Sequence, residues 1–99
     1  MEFEDIKKSF DKIEDINEIE GYYEVKISGV EKTLKIKIIE EDGGKFLGLA
    51  NLEVRGKGCA THYRSLHPRK TKEEAFEEAI RGFFVFYSEE ADVREVENW

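Results

Sequence analysis

Residues 71–87, TKEEAFEEAIRGFFVFY, are the stretch that decides the fold. Thr71 and Glu74 form a capping box, in which the threonine hydroxyl accepts from the Glu74 amide and the glutamate carboxylate reaches back to the Thr71 amide. At 100° per residue, the apolar side chains that follow fall within about half of the helix circumference, and Val85 alone falls on the polar side. The stripe consists of Ala75, Phe76, Ala79, Ile80, Phe83, Phe84, Phe86 and Tyr87. So wide an aromatic stripe predicts a helix lying across a sheet.

Upstream of this helix, apolar and polar residues alternate, as half-buried strands require. Successive rows begin at Tyr22 and Leu34, a third runs from Phe46 to Val54, and a fourth runs from Cys59 to Ser65. Glycine-containing turns at residues 28–31, 42–44 and 56–58 separate the rows. Their even spacing predicts an antiparallel meander, which ends at the proline at position 68 because proline cannot donate to a strand ladder.

The two ends of the chain complete the predicted fold. Phe3, Ile6, Phe10 and Ile13 follow helical spacing, which predicts an N-terminal helix ending near Asp15. The tail, residues 88–99, has apolar residues at intervals of three, which indicates an extension of the long helix or a short second helix. The sequence therefore predicts a single α+β domain over residues 1–99. It has an N-terminal helix, an antiparallel meander of three to four strands and a long C-terminal helix packed on the sheet.

A second apolar face is expected on that sheet. Ile39, Leu47 and Leu49 lie on the side away from the long helix, and Val85 is also outside the helix stripe. These residues are predicted to be covered by the N-terminal helix or by another chain, which makes a protein partner or a homodimer the expected assembly.

Composition narrows the class of protein. In 99 residues, apolar and charged residues each make up 39%, which disfavours both a disordered chain and a membrane span. Cys59 is the single cysteine, so an intramolecular disulfide is excluded, and residues 1–10 lack the apolar run of a signal peptide. We expect a cytoplasmic protein without membrane contacts.

The charge is unevenly distributed along the chain. The net charge is −7, yet residues 54–72 carry six cations and no acid, whereas the segments on either side are acidic. We call residues 55–72 the basic segment; its candidate binding residues are Arg55, Lys57, Tyr63, Arg64, Arg69, Lys70 and Lys72. The cations suit phosphates and the tyrosine suits a stacked base, so nucleic acid or another polyanion is a possible partner. Alternatively, the cations pair with carboxylates of the two helices.

No residue pattern indicates catalysis, a metal or a cofactor. Cys59, His62 and His67 have the right chemistry for zinc, but Cys59 and His62 would point to opposite sides of a strand. The stretch Gly56–Gly58 holds one lysine between two glycines and lacks the remainder of a phosphate-binding loop. We therefore predict no catalytic residues, no metal site and no cofactor. An unrecognised enzyme or metal protein is a third hypothesis, and elemental analysis of the purified protein tests its metal version.

Half of the chain resembles a known family. Residues 34–49 (LKIKIIEEDGGKFLGL), 58–61 (GCAT) and 71–80 (TKEEAFEEAI) are similar to the two strands, the GCxT strand and the TxEEA helix of HicB-like antitoxin-type domains. The resemblance implies a non-catalytic protein that binds and neutralises a small RNA-cleaving toxin. The order helix, meander, helix also resembles double-stranded-RNA-binding domains, which place lysines at the start of the last helix, where Lys70 and Lys72 stand.

The first hypothesis is thus a small non-catalytic binding or regulatory protein that acts through protein contacts. The alternative is RNA or polyanion binding through the basic segment.

Overall fold

The helix that the capping box predicts is present. In the computed structural model, which describes residues 2–99, it runs over Lys72–Val85 and is called α2. The Thr71 hydroxyl oxygen accepts from the Glu74 amide at 3.1 Å, which confirms the first half of the capping box. The Glu74 carboxylate accepts from the Thr71 hydroxyl at 3.1 Å, not from the Thr71 amide as predicted. Phe76, Ile80 and Phe83 are fully buried along its inner face. Phe86, predicted to belong to the stripe, lies just past the helix end and is 41% exposed.

Four antiparallel strands form the sheet on which α2 lies, and the α+β architecture is confirmed. A short helix, α1 (Phe3–Ser9), precedes β1 (Ile13–Ile19), β2 (Tyr22–Ile27), β3 (Leu34–Glu41) and β4 (Lys45–Ala50). The strands lie in the order β1-β2-β3-β4, so each neighbour in sequence is a neighbour in space. The core consists of the sheet face toward α2 and the inner face of that helix.

The N-terminal helix is shorter than predicted, and a strand replaces its second half. α1 ends at Ser9 rather than near Asp15, and Ile13–Ile19 forms β1. The helical spacing was misleading because β1 contains a bulge between Ile13 and Asp15. The extra residue places Ile13 and Ile16, three apart, on the same buried side of a strand. Gly21, with φ +91°, then makes the turn into β2.

The predicted third strand divides at Asn51, and its second part joins a different sheet. β5 (Leu52–Arg55) pairs antiparallel with β6 (Asp92–Glu95), so the tail forms a strand where a helix was predicted. Asn51 causes the break because its side-chain oxygen accepts from the Lys35 amide at 2.6 Å, replacing a regular ladder contact. The Asn51 carbonyl instead accepts from the Val96 amide at 2.7 Å, which begins the second sheet.

The predicted fourth strand, Cys59–Ser65, is wrong. This stretch forms a single bridge, Tyr63 with Val54, and Arg69 makes a second bridge with Phe46. Residues 59–71 thus run irregularly along the edges of β5 and β4. Pro68 therefore ends no strand, and the bridge between Arg69 and Phe46 comes directly after it.

Both helices pack on the same face of the four-stranded sheet. The ring of Phe3 in α1 lies 6.1 Å from that of Phe76 in α2, and 5.9 Å from that of Tyr23 on the sheet. Because α1 lies beside α2, it does not cover the opposite face, contrary to one of the two predictions. Neither helix has the length and apolar character needed to cross a bilayer, within the part of the chain described.

Candidate protein-binding face and the basic segment

The sheet face opposite α2 is apolar at one end. Ile19 lies beside Tyr22 across β1 and β2, and Lys37 and Ile39 lie beside Leu49 and Leu47 across β3 and β4. The register of β2 with β3 places Tyr22 beside Lys37, so Ile19, Tyr22, Lys37 and Leu49 form one row across the sheet. Ile39 and Leu47 lie next to this row. We call this surface the open face; it comprises Ile19, Tyr22, Lys37, Ile39, Leu47, Leu49 and Trp99.

The open face is the part of the sheet that the fold leaves accessible. Ile19 is 37% exposed and Ile39 is 40% exposed, and the other apolar members are half-buried. Val85, which the sequence grouped with Ile39, lies on α2 at the other side of the sheet and does not belong to this surface. The predicted apolar face therefore exists, but without Val85.

Trp99 is the residue of this face that sequence reasoning missed. Its indole N–H donates to the Leu49 carbonyl at 2.7 Å, and its ring meets that of Tyr22 edge-on at 5.6 Å. The Lys37 ammonium lies 4.8 Å from the indole centroid and also donates to the main-chain oxygen of Trp99. Tryptophan with a satisfied N–H and an accessible ring is the residue type most enriched at the centres of protein interfaces.

The open face is close to neutral in an acidic protein. The outward side of the four strands carries Lys26, Lys35, Lys37 and Lys45 against Asp15, Glu24 and Glu41. The chain as a whole carries −7. Two copies therefore meet less electrostatic repulsion through this side than through any acidic surface.

The edges of the same sheet are unsuitable for pairing with another chain. The outer edge of β1 is interrupted by its bulge and carries Glu14, Asp15 and Glu18, features that discourage strand addition. The edge of β4 is bridged by Arg69, and the guanidinium of Arg64 donates to the Ala50 carbonyl at 2.8 Å. Access to this sheet is therefore through its face.

The cations of the basic segment are distributed among several internal partners. Lys57 forms an ion pair with Glu90 at 2.9 Å, and Arg69 pairs with Glu78. Arg64 is held by the Ala50 carbonyl, and the Lys72 ammonium lies 5.8 Å from the centroid of the Phe46 ring. These contacts attach Arg64 and Arg69 to the sheet and α2, and Lys57 to the tail.

The other members of the segment also have defined positions. Arg55 contributes positive charge that helps lower the pKa of Asp92. The rings of Tyr63 and Phe86 are perpendicular, with their centroids 5.4 Å apart. Lys70 forms no ion pair within residues 2–99.

Glu78 is the centre of the contacts that attach the basic segment to α2. Its side chain is 11% exposed and accepts from the Ser65 hydroxyl at 2.8 Å and from Arg69 Nε at 3.1 Å, with Arg81 at 3.3 Å. Burial by itself would raise the pKa of Glu78, but the hydrogen bonds from Arg69 and Ser65 and the nearby positive charges outweigh it and lower the pKa. This carboxylate is therefore ionised and structural.

The three potential zinc ligands have separate environments. His62 Nε2 lies 2.7 Å from an Asp92 carboxylate oxygen, a contact that lowers the pKa of Asp92 and joins the basic segment to β6. Cys59 is an exposed free thiol, and His67 lies on the exposed part of the loop. Within residues 2–99, no three histidine, cysteine or carboxylate side chains come together in a way that could hold a metal ion.

Comparison with models of known families, with curated proteins and with solved structures finds no match. The function must therefore be inferred from the surfaces themselves.

Some residues of the open face could be predicted from the sequence and others could not. The alternation that identified Ile39, Leu47 and Leu49 is local and was sufficient. Trp99 lies fifty positions from Leu49, and its position on the sheet depends on the tail forming β6. The interval of three between Val93, Val96 and Trp99 suggested a helix and so concealed that placement.

Proposed function

We propose that the protein is a non-catalytic protein-binding module that associates with a second copy of itself through the open face. The observation that carries the proposal is the exposure of Ile19 and Ile39 on a sheet face that neither helix covers and that also carries the ring of Trp99. Large apolar side chains grouped on one accessible surface are typical of interaction sites, whereas scattered ones are not.

Charge favours a second copy as the occupant. The outward side of the sheet has four lysines and three carboxylates, so it neither attracts a strongly charged partner nor repels an identical face. Lys37 already donates to the main-chain oxygen of Trp99 and lies over its ring, so its ammonium keeps these partners when the face is covered.

The size of the face sets the expected strength of the contact. Four strands about 4.8 Å apart and roughly 23 Å long present about 450 Å² per copy. A standard interface uses about 800 Å² per partner, so the dimer is transient. We expect a dissociation constant on the order of 10–100 μM.

This proposal is consistent in kind with the role that the HicB-like resemblance implies, a non-catalytic protein that acts by protein contact. Polyanion binding by the basic segment is the competing function, and the internal contacts of Lys57, Arg64 and Arg69 weigh against it as the first choice.

Sedimentation velocity between about 5 μM and 1 mM tests the proposal, because this range spans the expected dissociation constant. We expect a concentration-dependent shift from monomer to dimer, abolished by Ile39→Lys. Val85→Lys is the matched control, since Val85 is 55% exposed but lies on α2. A monomer at every concentration, or equal loss of the dimer in both variants, would overturn the proposal.

Fluorescence gives a second readout, since Trp99 is the only tryptophan. Its emission is expected to shift to shorter wavelength as the dimer forms and the ring loses water. RNA binding is measured on the same samples: a monomer that binds a double-stranded RNA with steep salt dependence, lost in Arg64→Ala with Lys70→Ala, would support the competing function instead.

A further inference from the structure

The outer edge of β6 has unpaired main-chain groups. On the other side of β5, the Val54 amide and carbonyl exchange hydrogen bonds with Tyr63, both at 2.9 Å. Val54 therefore cannot bond to Val93, which lies opposite it in β6. In an antiparallel pair the bonded residues alternate, so Asp92 and Arg94 face β5 while the amides and carbonyls of Val93 and Glu95 point outward.

No backbone group within residues 2–99 is recorded as bonding to Val93 or Glu95 outside the pairing of β5 with β6. The backbone hydrogen bonds outside regular elements include Val96 to Asn51 but none from Val93 or Glu95. β6 has neither the bulge of β1 nor the arginine bridge of β4, the features that protect the other sheet. Its short length, four residues, is what limits uncontrolled pairing.

A cleft of about 300 Å³ lies at the Val93 end of this edge. The β2–β3 loop forms one wall with Gly29 and Val30, and the tail forms the other with Tyr87, Ala91 and Val93. The cleft is large enough for one or two apolar side chains of a strand lying along β6. Edge pairing together with a side-chain pocket is the arrangement used in strand addition.

The charge around the cleft selects the kind of strand. Glu31 and Glu89 line it and Glu95 ends β6, and none of these carboxylates forms an ion pair within residues 2–99. Lys32 is the single cation among the lining residues, all of which are described. An added strand therefore meets net negative charge.

We propose that the edge of β6 binds an extended peptide segment of another protein, in which basic residues alternate with apolar ones. Its main chain pairs with Val93 and Glu95, an apolar side chain enters the cleft beside Val30 and Tyr87, and its basic side chains meet the carboxylates. Because so few backbone pairs form, we expect a dissociation constant on the order of 100 μM. This site is independent of the open face.

The probe is the blocked peptide Lys-Val-Lys-Val-Lys-Val-Lys, titrated into the full chain and followed by amide chemical shifts. We expect saturable shifts that are largest at Val93 and Glu95 and in the loop around Val30. Two control peptides isolate the two requirements: Lys-Val-Lys-Pro-Lys-Val-Lys lacks a central donor, and Glu-Val-Glu-Val-Glu-Val-Glu reverses the charge. Both are expected to bind at least tenfold more weakly.

Two variants of Glu95 separate the main chain from the side chain. Glu95→Pro removes the outward amide while leaving the bonds to β5, and is expected to lower affinity at least tenfold. Glu95→Ala keeps that amide and is expected to lower affinity about two- to threefold, as loss of one exposed charge does. Circular dichroism checks that both variants fold.

Several results would overturn the proposal. These are no saturable shift up to 5 mM peptide, equal binding of the proline or glutamate peptide, or shifts centred on β1. If Glu95→Pro does not fold, the shift map of the unaltered protein with the three peptides decides the question.

Discussion

Replacing Gly82 by alanine tests how tightly residues 59–71 are packed on α2. Gly82 is a buried residue in the interior of that helix. At an ordinary helix position the change to alanine stabilises by about 1 kcal/mol, because glycine loses more backbone freedom on folding. Here the added Cβ would lie 2.6 Å from Ser65 Cβ and 2.8 Å from the Ser65 amide nitrogen. The segment would have to move away from the helix.

The magnitude follows from what that movement breaks. Overpacking of this kind costs about 1–3 kcal/mol. Displacing Ser65 also stretches its 2.8 Å hydrogen bond to the buried Glu78 carboxylate, and a bond to a charged group contributes about 1.5–3 kcal/mol. After the gain in helix propensity, the net expectation is a loss of about 2–4 kcal/mol in the free energy of unfolding.

Urea denaturation at pH 7 measures this loss directly. In a domain of this size, thermal unfolding should show a midpoint at least about 8 °C lower. The double variant Gly82→Ala with Ser65→Gly removes the closer of the two contacts and should recover part of the packing cost. An unchanged or increased stability of Gly82→Ala would refute the close packing of the basic segment on α2.

Three other perturbations have defined outcomes. Glu78→Gln should lower the free energy of unfolding by about 1.5–3 kcal/mol at pH 7. Because the pKa of Glu78 in the folded protein is lowered from 4.5, the full difference in stability is expected above pH 4.5, and it should shrink as the pH falls through the pKa of the folded state. A difference that stays constant across the acid range would show that Glu78 is not ionised. Trp99→Ala should lower the free energy of unfolding by about 1–2 kcal/mol, since it removes the hydrogen bond to Leu49 and a half-buried ring. An unchanged urea denaturation curve would contradict the placement of the indole. Gly48→Ala should lower the free energy of unfolding by about 1–3 kcal/mol, because the added Cβ would contact the Ala75 carbonyl oxygen more closely than an added Cβ at any other glycine contacts its neighbours. Stability equal to that of the unaltered protein would refute the close approach of α2 to β4.

Features that depend only on residues close in sequence could be predicted, whereas those that depend on contacts between distant residues could not. The cap at Thr71 and the stripe of α2 need only neighbouring residues: the threonine hydroxyl caps the helix, and the stripe is buried as far as Phe83, while Phe86 lies past the helix end. A spacing of three at Ile13 and Ile16 fits a helix and a bulged strand equally, and the pairing with β2 decides between them. β6 depends on β5 leaving the main sheet at Asn51, a consequence of one side-chain hydrogen bond that no periodicity reports.

The same distinction applies to the candidate sites. Alternation alone identified the apolar residues of the open face. The charge count identified the basic segment but could not show that Arg69 reaches the buried Glu78 or that Lys57 reaches Glu90 in the tail. Trp99 and the free edge of β6 required the tertiary structure, because both depend on where the tail crosses the sheets.

The most direct test of binding through the open face is a concentration series of isoleucine δ1-methyl spectra. Ile19 and Ile39 lie on that face, whereas Ile6, Ile36 and Ile80 are fully buried on the other side and serve as internal controls. We expect the Ile19 and Ile39 methyl signals to shift between about 10 μM and 1 mM while the buried three do not, in line with a dissociation constant inside that range. Ile19 and Ile39 signals that stay fixed over the whole series would contradict it.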